Sequence, residues 1–172
     1  NNEELDTLAE AFSTHFILYS NNIEGSFRAA CDKLGKKYLL YEGGKALDIN
    51  NDVIEEGLQG TIRFLDKLQM LNNNFSIKEP TKEMVCIENS TWVRAQYSGL
   101  LHNFVRPGTF VKTGMELGKI TDPYGLVEEP ILAPNDGYII CKNQAAIVFQ
   151  GDAVYHISTK LKNDQKRITP EI

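Results

Sequence analysis

The chain has 172 residues, with 18 basic against 23 acidic side chains and a net charge of −5. That balance, with no Lys/Arg run, excludes nucleic acid or an anionic membrane surface as the main partner, and 42% hydrophobic residues exclude a disordered chain. No apolar stretch reaches the roughly 20 residues of a membrane-spanning helix and no secretory-leader pattern opens these residues, so a cytoplasmic location is expected. The chain starts at Asn1-Asn2 rather than Met and opens directly on a helical pattern. A piece of a longer protein is therefore expected.

Residues 3–13 set Leu5, Leu8, Ala9 and Phe12 on one helical face. Residues 15–20 are rich in β-formers and read as a short strand. Ser26 is an N-cap candidate for a helix that Gly35 would stop. Residues 37–42 read as a second strand, ended by Gly43-Gly44. A long helix is predicted from Asn51 or Asp52 to about Leu71, with Asp52 and Glu55 as a capping box. Ile54, Leu58, Ile62, Leu65 and Leu68 form its apolar stripe. The order predicts a βαβ unit, which by itself is too small for a stable parallel sheet. Residues 1–74 thus read as the end of a larger α/β domain, with Asn72-Asn73-Asn74 as a linker. Such a remnant would expose a raw sheet edge, from which homo-oligomer formation is expected.

Residues 75–160 carry short strands between turn signals and read as a small all-β barrel or sandwich, followed by a polar tail over 161–172. This half repeats itself over 95–120 and 133–157. Ala95 matches Ala133 and Gly99 matches Gly137 at an offset of 38, while Gly114 matches Gly151 and Ile120 matches Ile157 at 37. A duplicated unit with Ala133-Pro134-Asn135-Asp136-Gly137 and Val111-Lys112-Thr113-Gly114 resembles the biotinyl and lipoyl domains, a barrel-sandwich of two interlocked β-hammerheads. Its glycines would supply positive φ at tight corners. A carrier role is disfavoured, because the connection from Ile120 to Ile131 has no Lys to modify and holds Glu128 and Glu129 instead.

Glu42 is the best candidate for chemistry. It ends a predicted strand, where open α/β sheets gather their ligands, and a half-buried carboxylate there could act as a general base. The alternative is an exposed loop acid. Tyr97 lies in a predicted loop before Gly99, and both it and Trp92 read as core or interdomain aromatics unless Tyr97 faces a pocket to bind substrate. His15, His102 and His156 form no ligand spacing, so no metal site is expected from them. Asp122, Asp136 and Asp152 are turn residues. Cys31, Cys86 and Cys141 form no C-x-x-C and read as buried free thiols of a reducing compartment.

Together the residues resemble the C-terminal half of the succinylglutamate desuccinylase/aspartoacylase family, which is carboxypeptidase-like. Three stretches carry the resemblance and span about residues 3–160. They are Gly25-Ser26-Phe27-Arg28 with Leu39-Leu40-Tyr41-Glu42-Gly43-Gly44; the helix from Val53 to Leu71; and the run from Trp92-Val93-Arg94-Ala95 through Ile120-Thr121-Asp122-Pro123-Tyr124-Gly125 to Gly137. The resemblance implies a zinc-dependent amidohydrolase acting on a small N-acyl amino acid. Glu42 would be the general base, and the β domain would cover the mouth of the active site. It also implies zinc ligands in a His-x-x-Glu pair, which this chain lacks. The ligands are expected in an N-terminal half, and this chain alone is expected to bind no zinc and to be inactive. The competing reading is a non-catalytic binding or scaffold module.

Overall fold

The computed structural model describes residues 3–72, 75–80 and 83–162. The chain divides into two compact units, Asn1–Val85 and Cys86–Ile172.

In the first unit, α1 (Glu3–Phe12) is followed by β1 (Phe16–Leu18), α2 (Phe27–Lys33) and α3 (Asn51–Lys67). Ser26 caps α2 by accepting the Ala29 amide at 3.2 Å. Past its end, Gly35 turns at φ +62° and donates to the Asp32 carbonyl. The capping box expected at Asp52 and Glu55 does not form: Asn50 is the N-cap of α3 and makes no side-chain cap bond. Its carboxamide oxygen accepts the Lys45 amide instead, because Gly44 at φ +88° folds the preceding loop back onto it. The apolar stripe of α3 is not buried along its length either. Ile54 and Leu58 are more than half exposed, and the buried position on the helix is Gly60, against the Phe12 ring.

The strand expected over residues 37–42 is not formed. The residues have β propensity, but a strand exists only by pairing, and no described residue offers these amides and carbonyls a ladder. The predicted βαβ unit is therefore absent among the described residues. Helix and irregular backbone make up most of this unit.

The second unit contains β2 (Val85–Arg94, whose first residue belongs to the first unit), β3 (Gly99–Asn103), β4 (Phe110–Val111), β5 (Glu116–Thr121), β6 (Glu128–Leu132), β7 (Gly137–Lys142), β8 (Ile147–Val148) and β9 (Ala153–Leu161). One sheet places β2, β9, β7 and β4 side by side; the other runs β6–β5–β3–β8. Described pairs are antiparallel. The strands form two open sheets, and no closed barrel is seen among the described residues.

The repeat is written into the hydrogen bonding. Gly99 pairs with Val148, and Gly137 with Val111, so each repeat lends a short strand to the other. Ala95 donates to Asp152 and accepts from Gly151, while Ala133 donates to Met115 and accepts from Gly114, all at 2.8–2.9 Å. These four bonds superimpose at the offsets of 38 and 37. The core follows the same rule: Val111 and Val148, Leu117 and Val154, Ile120 and Ile157 are buried as equivalent pairs. Two uses of glycine separate here. Gly114 and Gly151 take positive φ at equivalent turns. Gly99 and Gly137 do not; their backbones lie against the carbonyls of Thr121 and Ser158, and a Cβ would collide there.

Candidate functional site

Glu42 sits in the irregular segment between α2 and α3. The residue before it anchors that segment. Tyr41 donates its phenol to the Val53 carbonyl on α3 at 2.9 Å, and its ring lies over Gly57, where a Cβ would come within 2.7 Å of Cε1. Gly43 fits under Val53 in the same way: a Cβ there would come within 2.6 Å of Cγ1. The Phe12 ring closes the other side of Tyr41, with centroids 5.3 Å apart. Burial, and then the Glu56 carboxylate, push the Tyr41 phenol above its ordinary pKa. In the sequence Tyr41 stands out only as part of the stretch Leu39–Gly44 that carries the family resemblance, with no role of its own.

Glu42 itself is exposed. The burial that would prepare a carboxylate for proton transfer is absent among the described residues. What the chain supplies is the placement of Glu42: Tyr41, wedged over Gly57 of α3, holds the backbone on its N-terminal side, and Gly43 lies against Val53 on the other.

Arg63 provides the other fixed point of the first unit. Its guanidinium donates to the Phe12 carbonyl at 2.7 Å, to Ala11 and Ser13 at 3.3 Å, and to Lys78 at 2.9 Å. It thus satisfies the free carbonyls at the C-terminus of α1, where a cation is also favoured by the helix dipole.

Tyr97 lies in the second unit, in the bend between β2 and β3, and is 53% exposed. Trp92 is likewise exposed, on β2, and stacks on His156 of β9 at 4.5 Å and 7°. Of the two places expected for these aromatics, core or interdomain, the exposure of both removes the core. The three cysteines are half-buried and not fully buried as expected. The turn aspartates behave as expected: Asp122 accepts the Val127 amide, Asp136 the Thr113 amide and Asp152 the Phe149 amide, at 2.8–2.9 Å. The Val127 bond, first of several backbone bonds, holds the Asp122 carboxyl below its ordinary pKa.

No three His, Cys, Asp or Glu side chains come together as a metal site among the described residues. A ring nitrogen of His15 meets the Glu83 carbonyl, one of His102 meets Thr121 Oγ1 and one of His156 meets Ser90 Oγ, at 2.8–3.0 Å. These residues do not fit a zinc centre.

No protein-family model and no curated protein sequence matches the chain. Solved structures do. A succinylglutamate desuccinylase/aspartoacylase from Rhodobacter sphaeroides aligns over 95% of this chain and 50% of its own, at 19% identity and a TM-score of 0.78. The fold is that of half such a protein. The ectoine utilization protein EutE (DoeB) of Ruegeria pomeroyi covers 92% of the chain and 51% of its own, at 16% identity and a TM-score of 0.80. An aspartoacylase family protein from Mesorhizobium loti covers 93% and 55%, at 16% identity and 0.73. The chain therefore spans about half the length of the structures it matches. No helix of the described residues is long and apolar enough to cross a membrane.

Proposed function

We infer that this chain is the C-terminal portion of a hydrolase that cleaves the amide (or ester) bond of an N-acyl amino acid or a similar small molecule. The observation that carries this reading is the fold match over more than nine-tenths of the chain to half of proteins named as desuccinylases and aspartoacylases. Amide hydrolysis needs a proton taken from water and a proton given to the leaving amine. One carboxylate can do both in turn. Glu42 is the residue for that role, on a backbone held by Tyr41 against α3.

In this reading the activation of water would be the task of a zinc ion whose ligands lie outside this chain, and the chain alone is inactive. Tyr97 contributes to substrate binding. The second unit is a pair of interlocked hammerheads of the lipoyl kind that serves as structure and not as a carrier, since the tip between β5 and β6 offers no Lys. The protein works in the cytoplasm.

The test is hydrolysis of a panel of N-acyl amino acids, N-succinylglutamate included, by the full-length polypeptide that contains this chain. Glu42→Gln should lower kcat by about 10²–10⁴-fold while leaving metal content and Tm unchanged. Near-normal turnover of the variant removes Glu42 as the base. A full-length protein that cleaves none of the panel removes the hydrolase reading and leaves a binding or scaffold module.

A further inference from the structure

Each repeat of the second unit closes one sheet with a two-residue strand, β4 at the edge of one and β8 at the edge of the other. The two backbones are placed alike. Ile139 donates to the Thr109 carbonyl and Leu101 to the Ala146 carbonyl, both at 2.9 Å, at the repeat offsets of 38 and 37. Phe110 with Tyr138, and Ile147 with Leu100, are therefore the pairs that sit between ladder bonds. The peptide groups of Phe110 and Ile147 aim away from the sheet. An edge of this kind is a template for another chain unless it is guarded.

The edge at β4 is guarded. Arg106 and Pro107 precede it, Lys112 follows it, and the Tyr138 ring stands edge-on to Phe110 with centroids 5.0 Å apart. Charged side chains and proline are what keep open edges from pairing. The edge at β8 has neither: residues 143–151 hold no charge and no proline, and Phe149 takes the place of Lys112. Ile147 is 61% and Phe149 66% exposed, on either side of the buried Val148. The opening is one residue wide. Phe149 donates to Asp152 Oδ2 and accepts from the Asp152 amide, at 2.8 and 2.9 Å, and Ala145 donates to Asn143 Oδ1 at 2.8 Å. Ile147 keeps an outward N–H and an outward C=O.

We propose that β8 is the contact of a homodimer, in which two copies join antiparallel about a two-fold axis at Ile147. A foreign strand several residues long would find no further open donors at Ala145 or Phe149. A second copy needs none: each Ile147 N–H meets the Ile147 carbonyl of the other copy, and both outward groups are satisfied at once. In that register Phe149 faces Ala145 of the other copy, a small residue that leaves room for the ring. Charge favours the same place. At a net charge of −5, like chains repel, and an uncharged edge is where they can meet. This surface belongs to the second unit and is separate from the sheet edge expected of residues 1–74.

Sedimentation equilibrium of the full-length polypeptide that contains this chain should give a dimer. Ile147→Lys sets two like charges opposite each other and should weaken dimerisation by about 100-fold, with Tm unchanged. Lys112→Glu, at the place beside β4 that is equivalent to Phe149, should leave the dimer intact. Ile147→Cys should form an intersubunit disulfide on mild oxidation, since a hydrogen-bonded antiparallel pair holds its Cα atoms about 5.5 Å apart. Phe110→Cys, the equivalent change on β4, should not. A monomer at every concentration overturns the proposal, as does a dimer that Ile147→Lys leaves unchanged. A monomer whose Ile147 amide is protected from hydrogen exchange gives the edge to the rest of its own polypeptide and equally overturns it. Should Ile147→Lys fail to fold, the disulfide of Ile147→Cys decides alone. Dimer formation is read from mass and is independent of hydrolysis.

Discussion

Tyr155 occupies the room that a side chain at Gly118 would need: the phenol oxygen lies well inside contact distance of a Cβ built there. The two positions are equivalent in the repeat, Gly118 one residue after Leu117 and Tyr155 one after Val154. The duplicated halves therefore cannot both carry the large residue. One half took the tyrosine, and the other kept the glycine that makes space for it. The His102 carbonyl also crowds that Cβ, so neighbouring backbone would have to shift. Gly118→Ala should destabilise the second unit by about 1–3 kcal/mol, as overpacked cores do. Urea denaturation followed by Trp92, the sole tryptophan, measures it; an unchanged midpoint would show that the sheets yield freely.

The same repeat explains what the sequence made legible. Positions that need glycine for close approach or for positive φ tolerate no substitute, so Gly99 and Gly137, and Gly114 and Gly151, stand out at fixed offsets. Local signals also held: Ser26 and Gly35 bound α2 because capping is settled within a few residues. The segment over 37–42 differs from its sequence reading because strand formation is a tertiary event. Tyr38 to Tyr41 have the composition of a strand, and composition does not supply a partner. The stripe on α3 failed for a related reason. Periodicity reports which face is apolar and not whether anything covers it, and here Gly57 and Gly60 make the closest approaches. Arg63 carried no sequence signal at all, since its four carbonyl partners come from residues 11–13 and 78.

Tyr155 is fully buried, and its hydroxyl donates to the Leu117 carbonyl at 2.8 Å. Burial pushes its pKa up to about 12. The folded state thus prefers the neutral phenol, which stabilises it fully below pH 10, the ordinary value. That contribution is lost as pH rises from 10 through about 12. Tyr155→Phe should cost about 0.5–1.5 kcal/mol at pH 7 and should flatten the loss of stability above pH 10. Parallel alkaline unfolding curves for the two proteins would refute the assignment of this titration to Tyr155.

Arg63 binds three consecutive carbonyls at the end of α1, with Ser13 turned to φ +57° just beyond. Arg63→Met keeps much of the side-chain length and removes the donors. The carbonyls then lose charge-assisted bonds worth about 1.5–3 kcal/mol in favourable settings, and exposure at the helix end lets water replace part of this. Hydrogen exchange of α1 should accelerate by about 10-fold with β2–β9 unaffected. Unchanged α1 exchange would mean that packing of Phe12 on Gly60, and not the fork, holds the helix end.

His156 and Trp92 face each other across β2 and β9 as a register pair, and a ring nitrogen of His156 lies 2.8 Å from Ser90 Oγ on the same strand as Trp92. The imidazole therefore covers one face of an indole that is still 43% exposed. His156→Ala should bare that face, shift Trp92 emission to longer wavelength, and cost about 0.5–1.5 kcal/mol from the lost ring pair. Ser90→Ala removes the hydrogen bond but not the stack, so it should change emission less than His156→Ala. If the two variants shift emission equally, the hydrogen bond to Ser90, and not the packing of the rings, is what orients His156 over Trp92.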